Sequence, residues 1–290
     1  MPQVNRQRPA VTKRAAAPAG SLLDSAVDVG DLPDSSIKMV IYGENRVGKT
    51  TLACQFPKPL LLVGLEPNQT GGALSVRKVP GVKFLRLETV AAVLQLAGEL
   101  VGNDHGYATV VIDSATSLQD IILKEILGLP AVPDMLTWGS AGRDEYRERS
   151  EKTRECLRPF LNLACHTVLT AKQRDHNPPK DDKPRIVKGL TIESFFAADL
   201  GGATVGWLHD ACDYICRLYI AKETVTRTVQ VGKTQQHHEE ETGRLVRRLQ
   251  TMYHPNFAAG FRSQNPDGVP PYVDEPTYDK IRAIIDSDAE

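Results

Sequence analysis

The sequence contains little that would tie it to a membrane, a disulfide framework or a polyanion. No apolar run approaches the ~18 residues that a membrane-spanning helix needs, and the first residues lack an apolar signal core, so a cytoplasmic protein with no membrane partner is expected. Lys and Arg total 35 against 36 for Asp and Glu. The net charge of −1 therefore excludes a polycation that clings to nucleic acid by bulk charge, and any such binding must come from local patches. The five cysteines are an odd number in a long chain and mostly sit in apolar segments, which points to reduced, buried thiols. Cys212-x-x-x-Cys216 with His237-His238 matches none of the usual zinc spacings. With 290 residues, 41% hydrophobic and 24% charged, the chain is long enough for one large α/β domain or two small ones.

The most informative stretch runs from Gly43 to Thr51. It reads Gly43, Glu44, Asn45, Arg46, Val47, Gly48, Lys49, Thr50, Thr51, a G-x-x-x-x-G-K-T pattern. The apolar run 37–42 before it suits a buried strand, and the residues after it suit a helix start. Glycines at those positions let main-chain N–H groups approach phosphate oxygens, and the positive end of the following helix adds field of the right sign. In that setting Lys49 reaches the outer phosphates and the Thr50 hydroxyl serves Mg²⁺, so ATP and Mg²⁺ are the expected cofactors.

The rest of the chain is expected to supply what such a loop requires. Strands are predicted at 60–64, 82–87 and 107–114, with helices from a Thr89 cap to about Val101 and over 117–127, the latter opening on a Ser117-x-x-Asp120 box. Ligands sit beyond the carboxyl ends of parallel strands. Glu66, just past the second strand, is thus placed to activate water, with Glu88 as its rival. Asp113 closes an apolar strand and is placed to hold the metal. A helix over 140–165 carries Glu145/Arg149 and Glu148/Lys152 at i,i+4, on what reads as a solvated face.

A further strand, 165–174, ends in Lys-Gln-Arg, where Gln173 either senses the terminal phosphate or is a buried amide with a structural bond. The loop from Arg174 to Leu190 has no apolar period and carries Arg174, Lys180, Lys183, Arg185 and Lys188. It is either a grip on single-stranded DNA or a plain loop. Strands are expected at 211–221, 224–231 and 245–252, with a polar hairpin tip over 232–243, a basic side from Arg244, Arg247 and Arg248, and a last helix over 275–285. Residues 1–35 read as a tail in which Arg6, Arg8, Lys13 and Arg14 either touch phosphates or are merely solvated. The expected organisation is thus a tail (1–35), an ATPase core (36–222) and a hairpin with a closing helix (223–290).

In order and spacing, these motifs resemble the RecA-like recombinases. The chain is most similar to the small phage-type RecA-like P-loop ATPases of the single-strand annealing family, often grouped with AAA-family ATPases. The likeness covers residues 37 to about 220. It implies a mostly parallel central sheet flanked by helices and extended by a C-terminal β-hairpin. It also implies that Lys49 and Thr50 bind nucleotide and Mg²⁺, Asp113 orders the metal, Glu66 activates water and Gln173 couples the nucleotide to DNA. Ser114 after Asp113 departs from the Asp-Glu pair of typical AAA+ enzymes and favours the RecA arrangement, where the catalytic Glu lies on another strand. Family members complete their site with basic residues of a neighbouring subunit, for which Lys222 and Lys233 are candidates, although no obvious subunit-linking motif is present. The resemblance implies an ATPase that acts on single-stranded DNA in recombination or annealing within a host cell cytoplasm. Its partners would be further copies in a ring or filament and a single-strand binding protein. The rival readings are a nucleotide-gated adaptor of the helicase-loader kind with slow turnover and, with no arginine-rich lid in view, a small-molecule phosphotransferase.

Overall fold

A computed structural model describes residues 36–66, 70–129, 141–177, 185–187, 190–231, 234–263 and 265–287, with backbone alone at 185–187, 190–192, 226–231, 234–240 and 266. The expected tail contacts Arg6, Arg8, Lys13 and Arg14 lie outside the described residues, as does Lys233. Described as one unit, Ser36–Glu290 is organised by a sheet in which β1 (Lys38–Gly43) sits centrally between β5 (His166–Asp175) and β9 (Tyr214–Val231), parallel to both. Beyond β5 come β4 (Thr109–Asp113), β2 (Leu60–Gly64) and β3 (Val82–Arg86), all parallel. On the other flank, β10 (Thr234–Gln250) and then β12 (Tyr272–Asp274) run antiparallel to their neighbours.

Strands buried on both faces need apolar side chains at every position, and β2 and β4 are buried along their whole length. Alternate residues then feed two cores. Val40 and Tyr42 join the cluster that packs under α2 (Val90–Gly102), α3 (Ala115–Ile126), α4 (Arg143–Leu161) and α5 (Gly202–Ala211). Met39 and Ile41 join the opposite cluster, under α1 (Lys49–Ala53) and α6 (Tyr278–Asp286). The chain therefore leaves β1 over one face of the sheet and returns through α2 to α5 over the other. In an open parallel sheet covered on both faces this leaves a crevice at the carboxyl ends of the strands.

The structure bears out the expected strands through β5 and revises several details. α3 starts at Ala115, not 117: the Ser114 hydroxyl is the cap, accepting from the Ser117 N–H at 3.2 Å, so Ser117 lies inside the helix. Thr89 caps α2 as expected, accepting from the Ala92 N–H at 3.2 Å. In α4 the Glu148–Lys152 pair forms at 2.9 Å. Glu145 instead turns back to accept from the Gly142 N–H, and Arg149 is buried rather than solvated, because its guanidinium lies over the Tyr146 ring.

The two strands expected over 211–221 and 224–231 are one, β9, which starts at Tyr214 and has no break at Lys222, and 234–243 is not a tip: β10 pairs with β9 from Thr234 onward, with a register shift between Glu241 and Leu245. The expected 222/223 boundary falls inside β9. A two-stranded ribbon has no core face to impose apolar alternation, so its sequence reads as polar loop. Arg247 and Arg248 do not form one basic side, since neighbours in a strand face opposite ways. Each pairs with an acid of its own, Glu275 at 3.0 Å and Asp274 at 2.6 Å, while Arg244 lies 3.6 Å from Glu223. Pattern reading also passed over β6 (Arg185–Val187) and β7 (Leu190–Ile192), an antiparallel pair where residues 174–190 read as a loop, and over β8 (Phe196–Ala198), α5, β11 (Gly260–Phe261) and β12.

Cys212 and Cys216 belong to opposite core clusters, so they cannot share a metal, and among the described residues no cluster suited to a metal is formed by His, Cys, Asp and Glu alone. The cysteines are unpaired, and burial pushes the thiols of Cys54 and Cys212 up to about 12. Phe160 is fully buried where α4 meets the sheet. Phe160→Ala should therefore cost about 3–5 kcal/mol of stability, read as a lower denaturant midpoint with an unchanged slope.

Candidate functional site

The loop after β1 owes its shape to two glycines with different duties. Gly48 caps α1 at φ 99°, in the left-handed region that side chains disfavour. Gly43 is required by space instead: a Cβ there would overlap the Leu218 carbonyl of β9. Of the loop, Asn45, Arg46, Gly48, Lys49, Thr50 and Thr51 line a cavity of about 1020 Å³ at the carboxyl ends of the strands. Gly43, Glu44 and Val47 do not line it, and the Val47 side chain is in the core. The Lys49 ammonium lies back on its own loop, donating to the carbonyls of Gly43 at 3.0 Å and Glu44 at 2.6 Å.

Across the cavity mouth, Asp113 closes β4 and is almost entirely buried. Its Oδ2 accepts from the Thr50 hydroxyl at 2.9 Å and its Oδ1 from the Thr170 hydroxyl of β5 at 2.5 Å. Although β5 lies between β1 and β4, Thr50 and Asp113 thus share one spot, as a metal held by both requires. Space around that spot is reserved too, since a Cβ on Gly72 would overlap both Asp113 Oδ2 and Thr50 Oγ1. A carboxylate, a hydroxyl and a lysine beside a left-handed glycine cap fit a nucleotide triphosphate with its Mg²⁺.

Glu66 lines the same cavity beyond β2. Burial, reinforced by Asp113, raises its carboxyl above the ordinary range, while Lys172 and Lys49 draw it back. Burial likewise lowers the Lys49 ammonium, against the pull of Asp113 and Glu66. Glu88 also lines the cavity but is tied to Arg86 at 2.7 Å, which leaves Glu66 as the freer carboxylate.

Gln173 is placed elsewhere. Its side chain points away from the cavity and accepts from Arg217 Nε at 2.7 Å, the structural amide bond that competed with the phosphate-sensing role. The residue before it, Lys172, faces the cavity, and sequence reading missed it because three polar residues in a row hide which one faces inward. Asp120 was missed as well, having been read as a cap residue. It lines the cavity on α3, and burial pushes its carboxyl up to about 6, with Lys172 and Arg149 opposing and Asp199 assisting. Among the candidate DNA contacts, Arg174 is 3.6 Å from Asp199, Arg185 is described by backbone alone, and Lys180, Lys183 and Lys188 lie outside the described residues. Lys222 is ion-paired with Glu241 at 2.7 Å.

A phosphate loop between a buried strand and a helix, set in a mostly parallel sheet with an acid at the end of a nearby strand, defines a P-loop α/β nucleotide-binding domain. Residues 35–245 match the family model described as AAA domain, so the chain belongs to that family. No curated protein matches it. Among solved structures, it is similar to a KaiC-like protein from the hyperthermophilic archaeon Pyrococcus horikoshii, with 15% identity, 82% of this chain and 88% of that chain covered, and a TM-score of 0.33.

Two outcomes follow from this geometry. Gly72→Ala should leave the protein folded but abolish Mg²⁺-dependent nucleotide binding, measured by titration of a fluorescent nucleotide with and without Mg²⁺. Asp120→Asn should raise the melting temperature at about pH 8 and leave it unchanged at about pH 3. The sign follows from a folded pKa raised above the unfolded one: with both states protonated there is no penalty, and it grows as pH climbs from the ordinary carboxylate range through about 6.

Proposed function

We propose that this protein hydrolyses ATP and uses the nucleotide-bound state to control a grip on single-stranded DNA in annealing or strand exchange. The observation that carries the ATPase part is the convergence of Lys49, Thr50, Asp113 and Glu66 on one cavity. Lys49 and the loop amides hold the phosphates. Thr50 and Asp113 hold Mg²⁺, which neutralises charge on the outer phosphate oxygens when bound. Glu66 takes the proton of the attacking water; its raised pKa makes it a better base than an exposed carboxylate.

The DNA part draws its support from the path of the chain. β5 carries Lys172 at the cavity and runs directly into the segment with Arg174, Lys180, Lys183, Arg185 and Lys188, so a basic stretch begins beside the nucleotide. Assembly into a ring or filament, in company with a single-strand binding protein, belongs to the same reading.

ATP turnover titrated with single-stranded DNA at two salt concentrations tests it. The expected result is DNA-stimulated turnover that falls steeply with salt, since phosphate contacts release counterions. Lys49→Ala should abolish nucleotide binding, and Glu66→Gln should keep binding while slowing turnover by about a hundredfold or more. Turnover indifferent to DNA would replace the recombination reading with that of a nucleotide-gated adaptor. An undiminished rate in Glu66→Gln would remove that residue from its role.

A further inference from the structure

Among the described residues, β3 pairs with β2 along one side and with no strand along the other. Whereas β2 and β4 are buried throughout, the three central residues of β3, Lys83, Phe84 and Leu85, are exposed. Beside this edge lies the helical turn Gly71–Val76, and the two border a groove of about 410 Å³. Its lining is apolar apart from Thr70 and Arg77, with Leu74 on one bank at 63% exposure and Phe84 on the other at 41%. The Phe84 ring takes the room that a side chain at Gly64 would need, so that bank is set before anything docks.

Charge marks the same edge. From Thr70 to Leu87 the chain has Arg77, Lys78, Lys83 and Arg86 and no acid. Arg86 is closed on Glu88, whereas Arg77 and Lys78 are exposed and form no ion pair among the described residues, and Lys83 lies over the Tyr107 ring at 5.8 Å. Lysine on an edge strand opposes pairing with a like edge, because equal charges then stand opposite one another. A second copy joined edge to edge through β3 would set these cations against each other. An acid-bearing strand would meet them with complementary charge.

We propose that this edge is the docking site for an acidic, extended segment of a partner protein. The segment adds to β3 as a further strand, sets an apolar side chain in the groove and meets Arg77, Lys78 and Lys83 with its carboxylates. The helical turn gives such docking a route to the nucleotide. Gly71, Gly72 and Ser75 line the nucleotide cavity, while Ala73, Leu74 and Val76 line the groove. Gly72 is the residue pressed against Thr50 and Asp113, so one turn of chain borders both places. Mg²⁺-nucleotide and the docked segment therefore change each other's affinity, by the same factor in both directions. The docking stands apart from the nucleotide reading; only this linkage rests on it.

The probe is a fluorescently labelled peptide in which Asp alternates with Val, Ile and Phe, and its control carries Lys in place of each Asp. With the full chain, the acidic peptide should bind at micromolar concentrations and more weakly as salt rises, and the basic one should not bind. Leu74→Asp, and Arg77→Glu combined with Lys78→Glu, alter exposed side chains, so melting temperature should hold while each lowers peptide affinity by about tenfold or more. Saturating ADP with Mg²⁺ should shift the affinity by about fivefold or more. No binding of the acidic peptide, equal binding of both peptides, or full affinity in both variants would overturn the docking. So would a dimer that forms without peptide and is lost in Leu74→Asp, which would assign the edge to a second copy. A peptide affinity indifferent to ADP, in a sample that binds ADP, would overturn the linkage. Peptide binding by a chain that binds no nucleotide would support the docking and defeat the nucleotide reading, an outcome distinct from the others.

Discussion

The site depends on one carboxylate. Asp113 is buried at the end of a strand, where an ionised group is costly unless its oxygens are satisfied, and here each oxygen has its own hydroxyl donor. The two donors come from different elements, Thr50 from the helix after the phosphate loop and Thr170 from the strand lying between β1 and β4. The carboxylate therefore works as a three-way joint that fixes α1, β4 and β5 against one another. Because Thr50 spends its hydroxyl proton on Asp113, its lone pairs are left for the cavity. A metal ligand needs that orientation, and the protein sets it through a contact already present in the fold.

Around this joint, space is as tightly assigned as charge. Gly72 approaches Asp113 and Thr50 so closely that no side chain fits, and Gly43 approaches the β9 backbone in the same way. The cavity wall combines Lys49 and Lys172 with Glu66 and Asp120, and burial pushes Lys49 down and both acids up, toward their neutral forms. A chain selected for stability alone would not keep so many half-desolvated charges in one crevice. Their concentration at the carboxyl ends of the strands is the signature of a working site.

The parallel half of the molecule was legible because its physics is local. A strand buried on both faces must be apolar throughout, so β1, β2 and β4 announce themselves, and the acid that ends β4 stands out against them. The convergence of Lys49, Thr50 and Asp113 follows once those strands lie side by side. In the ribbon of β9 and β10 the expected strands 224–231 and 245–252 were legible, but the continuity of β9 through Lys222 and the start of β10 at Thr234 were not, because strands that pair only with each other carry no required pattern. β8 and α5 were missed for related reasons: one has three residues, and the other buries only Thr204 and Leu208.

The end of β5 shows where pattern reading stops for a physical reason. Lys172, Gln173 and Arg174 are consecutive polar residues past the apolar part of the strand, so nothing in their order says which faces the ligand. The pleat decides it: Lys172 turns to the cavity, Gln173 to Arg217 of β9, on the far side of β1, and Arg174 toward Asp199. A shift of one residue in the register of β5 would exchange the first two roles. That register is set far from the site, by Thr167 opposite Lys38 and Val168 opposite Met39 in the core. The apolar residues that bury the strand thus select which polar residue reaches the cavity, and a one-residue choice in the hydrophobic core becomes a choice of chemistry at the site.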